Sequence, residues 1–550
     1  MSQPRTASAR RTAARTIALG SSGLLVALAL PVTAATAAPG NACENRNNNT
    51  YAKLLECVTL EGVMEHQRAF QKIAENSDDP VYPGSRAAGT DGYDDSVEYV
   101  AGLLRDAGYR VTLDPVDVTF NFPAVLRQLR TVQAEYETGV FTGSGSGTVE
   151  GAVVPVDLAL TDPATSTSGC EAADFAGLDL SGPADIALVQ RGACNFGNKV
   201  VNAEDAGAEA VVIFNQGNGP DRMELIVANA ATLGDGSTVQ HGIPVVGASF
   251  DQGVALAADG ATAFIEVIPA EIREDHNVIA ELPGRNPDNV VMAGAHLDSV
   301  EVGPGINDNG SGSAALLEAA LTMRKLNPEN TLRFAWWAAE EQGLVGSADY
   351  VEGLSQAEVD RIALYMNYDM VGSPNYVQMV YDSDESTWEA PVPIPAGSTA
   401  IEDLYESFYT KVGVPYDDAE YSGRSDYQAF INAGIPSGGL FTGAEVRKTE
   451  EQVAIWGGTA GEQFDPCYHQ ACDQIDNLAL DALEVNSDLI AFAMLTYAYS
   501  TEPVNGVPGK KVPGPAFRLP APAGEEGTFK EAAGGGGLAH DHVHGHDIED

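Results

Sequence analysis

The sequence predicts an α/β fold: a mixed, largely parallel central sheet flanked by helices, with a β-rich module inserted into it. Three observations predict this. Two stretches with apolar residues at helical spacing, 60–73 and 93–104, precede a strand-like run at 109–115, as at the start of an α/β domain. From 132 to about 269 the pattern changes to short strand-like runs separated by turns. From 277 strands and helices alternate again, and strand after strand ends in an acid or a histidine.

Residues 1–38 read as an export leader. Arg5, Arg10, Arg11 and Arg15 give a basic start, 17–30 an apolar centre, and Ala35-Thr36-Ala37 small residues for cleavage. The apolar run is too short for a membrane anchor, and no later stretch reaches the needed length. A secreted, extracellular monomer is therefore expected. Residues 39–57 are polar, with a run from Asn47 to Asn49, and read as an extended mature N-terminus. In 60–73, Val63, Phe70 and Ile73 share one helical face.

The inserted module is set at 131–269. Strands are expected there at 148–156, 186–190, 211–215 and 243–246, with an amphipathic helix at 199–206. The enclosing domain takes 39–130 and 270–501. Its second part reads as strands at 277–281, 290–295, 331–338 and 362–368, a helix at 311–326, and a closing amphipathic helix at 487–497. Beyond 500 the composition turns to Pro and Gly, and 502–550 reads as a disordered tail. The tail ends with His540, His542, His544 and His546 among aspartates. Such a tract can chelate a transition metal, or be a solvated tail with no specific role.

The chain has 550 residues, of which 78 are acidic and 30 basic, for a formal net charge of −48. That argues against nucleic-acid or anionic-membrane partners, which need a basic face. Solubility and salt tolerance account for most of it. Six cysteines fall into three local groups: Cys43 with Cys57, Cys170 with Cys194, Cys467 with Cys472. Local pairing is the simplest arrangement and suits an oxidising compartment. A cysteine zinc site is the rival, but no CxxC spacing supports it.

The chemistry lies at the strand ends, where α/β sheets place their sites. The run 290–295 leads to His296 and Asp298, which share a face if the strand continues. The loop beyond supplies Asp308. The next strand delivers Glu340-Glu341, the next Asp369, and a far loop closed by Cys467 and Cys472 carries Tyr468-His469. An isolated acidic pair is usually a solvated turn; five such elements on one rim are not. His296, Asp308, Glu341, Asp369 and His469 make two imidazoles and three carboxylates. A zinc commonly takes three protein ligands plus water. Five ligands with one carboxylate shared supply three to each of two ions, zinc by preference, with manganese or cobalt as substitutes. Structural calcium seldom uses histidine. Glu340 is placed to move a proton, Asp298 to orient the His296 ring, and Tyr468 to donate to a developing oxyanion.

Two resemblances follow from quoted residues. The sequence Ile186-Ala187-Leu188-Val189-Gln190-Arg191-Gly192 with Cys194-Asn195-Phe196, then Lys199, Ala203, Gly207-Ala208, Ala210-Val211 and Ile243-Pro244-Val245, resembles a protease-associated (PA) domain. The segments Gly294-Ala295-His296-Leu297-Asp298-Ser299, residues 305–312, residues 338–347, Asn367-Tyr368-Asp369-Met370-Val371-Gly372, Gly423-Arg424-Ser425-Asp426 and residues 467–472 resemble the M28 zinc aminopeptidases of the aminopeptidase Y/Streptomyces leucine-aminopeptidase type. They stand in the family's order, with no departure at a ligand position. The resemblance implies the zinc exopeptidase fold and two Zn2+. Asp308 would bridge them, His296 and Asp369 would hold one, and Glu341 and His469 the other. Glu340 would be general base and acid, and Tyr468 would polarise the scissile carbonyl. The backbone near Arg424 would hold the substrate amine, and Met370 and Phe441 would line a pocket for a large apolar first residue. A cis peptide after Asp308 is a further implication. The substrates would be peptide or protein N-termini. The alternatives are a carboxypeptidase or glutaminyl cyclase of the same fold, or a non-catalytic PA/peptidase-like binding protein.

Overall fold

The computed structural model describes residues 40–523; the leader and the 540–546 histidine tract lie outside them. The larger sheet has eight strands. Their order is Arg110–Phe120, Glu271–Leu282, Asn330–Trp337, Asn286–His296, Ile362–Tyr368, Ser437–Phe441, Met379–Tyr381 and Asp417–Ala419. The four strands from Asn330–Trp337 to Ser437–Phe441 run parallel to one another. Antiparallel pairs flank them on both sides. The sheet is thus mixed and parallel at its centre, as the sequence predicts.

Ile362–Tyr368 is buried along its whole length, as is nearly all of Asn330–Trp337. Strands covered on both faces must be apolar throughout, which is why they read as continuous hydrophobic runs. One face packs against the helices Leu60–Asn76, Asp91–Ala107, Gly310–Met323, Ser398–Val412 and Leu480–Tyr499. The other packs Met292, Trp337 and Tyr365 against Phe430 and Ile431, with the Tyr365 and Phe430 rings stacked at 3.7 Å.

Four expectations are corrected. Leu480–Tyr499 is not amphipathic: its residues from Leu489 to Leu495 are all buried, because it lies between other helices and the chain beyond 500. The segment expected to be extended at 39–57 contains the helices Gly40–Asn45 and Tyr51–Leu55, the second capped by Thr50. The tail expected to be disordered from 502 continues in place to 523. It forms the helix Glu502–Asn505 and lays Phe517 against Tyr51, Phe408 and Phe492, so its few apolar residues find a groove that composition cannot reveal. The inserted module's sheet begins at Val125, before the expected boundary at 131, because Val125–Arg130 pairs with Thr262–Val267.

That second sheet has seven strands, with Gly147–Pro155, Ile186–Gln190, Ala210–Phe214 and Val245–Ala248 as parallel neighbours. It has apolar cores of its own on both faces. The three disulfides are Cys43–Cys57, Cys170–Cys194 and Cys467–Cys472, the local pairing. Among the described residues no helix is long and apolar enough to cross a membrane.

Candidate metal centre

The parallel strands deliver their C-terminal ends to one rim. Asn286–His296 ends on the imidazole, and the chain then loops to Asp308 before the helix Gly310–Met323. Asn309 caps that helix: its side-chain oxygen accepts from Gly312 N at 3.0 Å and from Met370 N at 3.2 Å, tying two strand ends together. The Asp308–Asn309 peptide is cis, as the resemblance implies. Glu340 and Glu341 follow Asn330–Trp337, and Asp369 follows Ile362–Tyr368. Tyr468 and His469 lie inside the Cys467–Cys472 disulfide loop.

The five expected ligands converge. His296 Nε2 is 3.3 Å from Asp308 Oδ1 and 3.3 Å from Asp369 Oδ1. His469 Nε2 is 3.4 Å from Asp308 Oδ2 and 3.0 Å from Glu341 Oε2. Each oxygen of Asp308 thus faces a different imidazole. Two donors bound about 2.0–2.1 Å from one tetrahedral zinc lie about 3.3 Å apart, so these spacings are those of coordination edges. Glu341 Oε1 is buried without a hydrogen-bond partner, a costly state for a carboxylate oxygen unless a cation meets it. The donor set therefore fits divalent transition metal. Glu340 stands further off, 4.0 Å from His296 Nε2. Two groupings have donor atoms within 4.8 Å of one another, His296 with Glu340 and Asp369, and His296 with Asp308 and Glu341. The shorter spacings favour Asp308 over Glu340 as the partner of His296.

The electrostatics without metal are those of a carboxylate cage. Burial pushes Glu340 well above the usual range, with His296 opposing and Asp369 and Asp426 adding to it. Burial and then the charge of Asp308 push Glu341 up to about 7. Burial also raises Asp308, but hydrogen bonds from His296 and His469 outweigh it and hold the group well below its ordinary value. Burial disfavours the charged His469 ring, yet Glu341 and Asp308 carry it up to about 11. Bound cations reverse this logic by replacing the protons.

Asp298 lies against the His296 ring and does more besides. The ring of His296 meets the backbone carbonyl of Asp298 at 3.2 Å, while the carboxylate is 3.6 Å away. That carboxylate also accepts from the amides of Glu340 and Glu341, at 3.2 Å each. The strand ends at His296, so the alternation that put 296 and 298 on one face no longer applies. Asp298 holds the turn that presents the two glutamates.

Residues 277–494 match peptidase family M28, and residues 149–256 match the PA domain. An aminopeptidase of Pseudomonas aeruginosa is 45% identical over 82% of this chain and 83% of its own. A probable leucine aminopeptidase 2 of Aspergillus fumigatus is 40% identical over 77% of this chain and 81% of its own. The chain belongs to peptidase family M28. Among solved structures, a zinc aminopeptidase from Bacillus subtilis matches it with a TM-score of 0.54 and 25% identity, over 79% of this chain and 94% of that one.

Beside the metal centre of this M28 peptidase lies a cavity of ≈ 210 Å³. Met370, Phe441, Tyr381, Trp388 and Phe464 give it apolar walls, and Arg424 and Tyr468 stand at its edge. Arg424 donates to Tyr468 Oη at 3.0 Å and pairs with Glu445 at 2.6 Å. Burial, then the charge of Asp308, pushes the Tyr468 hydroxyl well above its usual range, so it keeps its proton.

Sequence reasoning did not single out the groups behind the ligands. Ser425 Oγ donates to Asp369 Oδ2 at 2.7 Å, although Ser425 stands within a quoted motif. The carboxylate of Asp473 accepts from the amides of Asn307 and Asp308, at 2.8 and 2.9 Å. Its position directly after Cys472 was the available signal.

Proposed function

We propose that the protein is a secreted aminopeptidase that releases large apolar, leucine-like residues from peptide N-termini, using water activated between two zinc ions. The observation that carries this reading is Asp308, whose two carboxylate oxygens each face an imidazole at coordination spacing. The aminopeptidase names of the relatives support the activity, and the disulfides support export.

Asp308 would be shared, His296 and Asp369 would complete one site, and Glu341 and His469 would complete the other. When bound, the ions supply a water of lowered pKa and polarise the scissile carbonyl. Glu340 takes the proton of the attacking water and returns it to the leaving amine. Tyr468, held by Arg424, donates its hydroxyl to the carbonyl oxygen as charge develops there. The carboxylates of Glu340 and Asp369 give the substrate's α-ammonium an acidic seat, and Met370 and Phe441 receive the first side chain.

A panel of aminoacyl arylamides, with and without a chelator, tests the reading. Leucine-like substrates are expected to turn over fastest, and the chelator to stop them. Equal turnover of N-acetyl-leucine arylamide would show that no free amine is needed and would sink the exopeptidase assignment. Full activity in chelator would remove the metals.

A further inference from the structure

Arg86 lies outside the segment that matches the peptidase family, yet its side chain is fully buried beneath the metal loop. Among the described residues the guanidinium has no carboxylate in hydrogen-bond contact. It donates to three backbone carbonyls of one loop: Nη1 to Leu297, Nε to Pro304 at 2.8 Å and Nη2 to Gly305 at 2.8 Å. Leu297 directly follows His296, and Gly305 stands three residues before Asp308. The backbone around Arg86 holds the same loop. Arg86 N donates to Ser299 Oγ at 3.0 Å, and Ser299 N donates back to Arg86 O at 3.3 Å. The Ser299 hydroxyl also reaches Gly303 O at 2.9 Å.

The loop has little room to relax. Gly305 has φ +59°, and a Cβ there would stand 2.4 Å from Asp308 O and 2.5 Å from the Ser299 side chain. The Phe70 ring lies 4.9 Å from the guanidinium carbon and closes the other side. Burial lowers Arg86 to about 10, with Asp298, Asp473 and Asp308 opposing, so it remains a cation at neutral pH. A planar fork of five N–H donors can span three carbonyls of one loop at once; a lysine ammonium cannot match that fixed geometry.

We propose that Arg86 is a positioning residue for the metal centre: its guanidinium fixes the shape of the 297–305 loop, and with it the separation of His296 and Asp308. This rests on the two-ion reading above. Outer partners of metal ligands typically change metal affinity by about 10- to 100-fold, and Arg86 acts on that scale through backbone rather than through a ligand side chain.

The test compares the parent protein with Arg86→Lys and Ser299→Ala. Each is stripped of metal and titrated with Zn2+ against a chromophoric chelator. Each is also loaded with Co2+ for its visible spectrum, and melted without metal. Arg86→Lys is expected to lose about 10- to 100-fold in affinity for one of the two ions and to shift the cobalt bands, with a metal-free Tm close to the parent's. Ser299→Ala is expected to shift affinity in the same direction by less. Parent-like zinc affinity in Arg86→Lys overturns the proposal, as does a lost affinity that merely tracks a collapsed metal-free Tm. If Arg86→Lys does not fold, Ser299→Ala decides: weaker zinc binding supports the proposal and parent-like binding overturns it. A parent that binds no metal removes the two-ion reading, and this proposal with it.

Discussion

Among the described residues, two clusters of carboxylates bring at least three oxygens or nitrogens within 4.8 Å of one another. One is the centre around Asp308. The other sits at the far edge of the same sheet, where Asp382, Asp384, Glu402, Glu406 and Asp418 gather between short strands and the helix Ser398–Val412. They differ in what opposes the negative charge. At the first, two imidazoles face Asp308 and hold it well below its usual pKa. The second includes no imidazole, and burial together with Asp384, Glu406 and Asp382 pushes Glu402 up to about 9. Asp382 and Asp418 take hydrogen bonds from the protein itself. Asp382 accepts from the amides of Ser386, Thr387 and Trp388, and Asp418 from the hydroxyls of Ser386 and Thr387. Proximity of acids is therefore not what distinguishes a metal centre. Mixed nitrogen and oxygen donors do so: only the first cluster sets imidazoles beside its carboxylates.

The strongest way to break the comparison is to remove the carboxylate that each cluster is built on. Asp308→Ala is expected to lower kcat/KM on the order of 10⁴-fold, since water activation and carbonyl polarisation each contribute about 10² or more. Metal analysis should find the pair of ions disrupted, whereas His296→Ala should chiefly weaken one. Glu402→Gln should keep parent-like metal content and activity. Metal lost from Glu402→Gln would make the two clusters alike.

Glu340 sharpens the comparison within the first cluster. Glu340→Gln is expected to lower kcat by about 10³-fold with zinc content unchanged, because the side chain moves a proton and holds no ion. Loss of an ion in that variant would instead favour the His296, Glu340 and Asp369 grouping.

The first cluster was legible in the sequence and the second was not. His296, Asp308, Glu340, Glu341 and Asp369 follow apolar runs that announce buried strands, so their place on a common rim follows from the fold class. Asp382 and Asp418 flank or occupy strands of three residues, Met379–Tyr381 and Asp417–Ala419, too short to show a period. Arg86 was invisible for another reason: it acts on a loop more than two hundred residues away, and nothing local marks it. The same holds for Phe517, whose aromatic partners come from 51, 408 and 492. Asp298 was found as a neighbour of the His296 ring, but its hold on the amides of Glu340 and Glu341 is long-range and had no local mark.

The metal-free chemistry of the first cluster gives a smaller, pH-dependent prediction. The His469 imidazole holds its proton up to about pH 11 in the empty cage, and zinc binds the neutral ring. Zinc binding must therefore release protons, and apparent affinity should rise with pH across the neutral range. Calorimetry in buffers of different ionisation enthalpy measures the release. A pH-independent affinity with no proton release would mean that the imidazoles are already neutral.

The smallest effect belongs to the second cluster and has the opposite dependence. Glu402 is 3% exposed, and its carboxyl pKa rises from the ordinary 4.5 to about 9 on folding. The folded state thus binds a proton that the unfolded chain has released. The stability this contributes is complete below about pH 4.5 and is lost as pH rises through about 9. Glutamine keeps the shape and can still accept from Ser383 N, which lies 3.1 Å from Glu402 Oε2, but it never ionises. Zinc-loaded Glu402→Gln should melt with the parent near pH 4.5 and progressively above it as pH rises toward 9. Parallel melting curves for the two proteins across that window would mean that Glu402 does not hold a proton, and that the second cluster balances its charge by some other means than protonation.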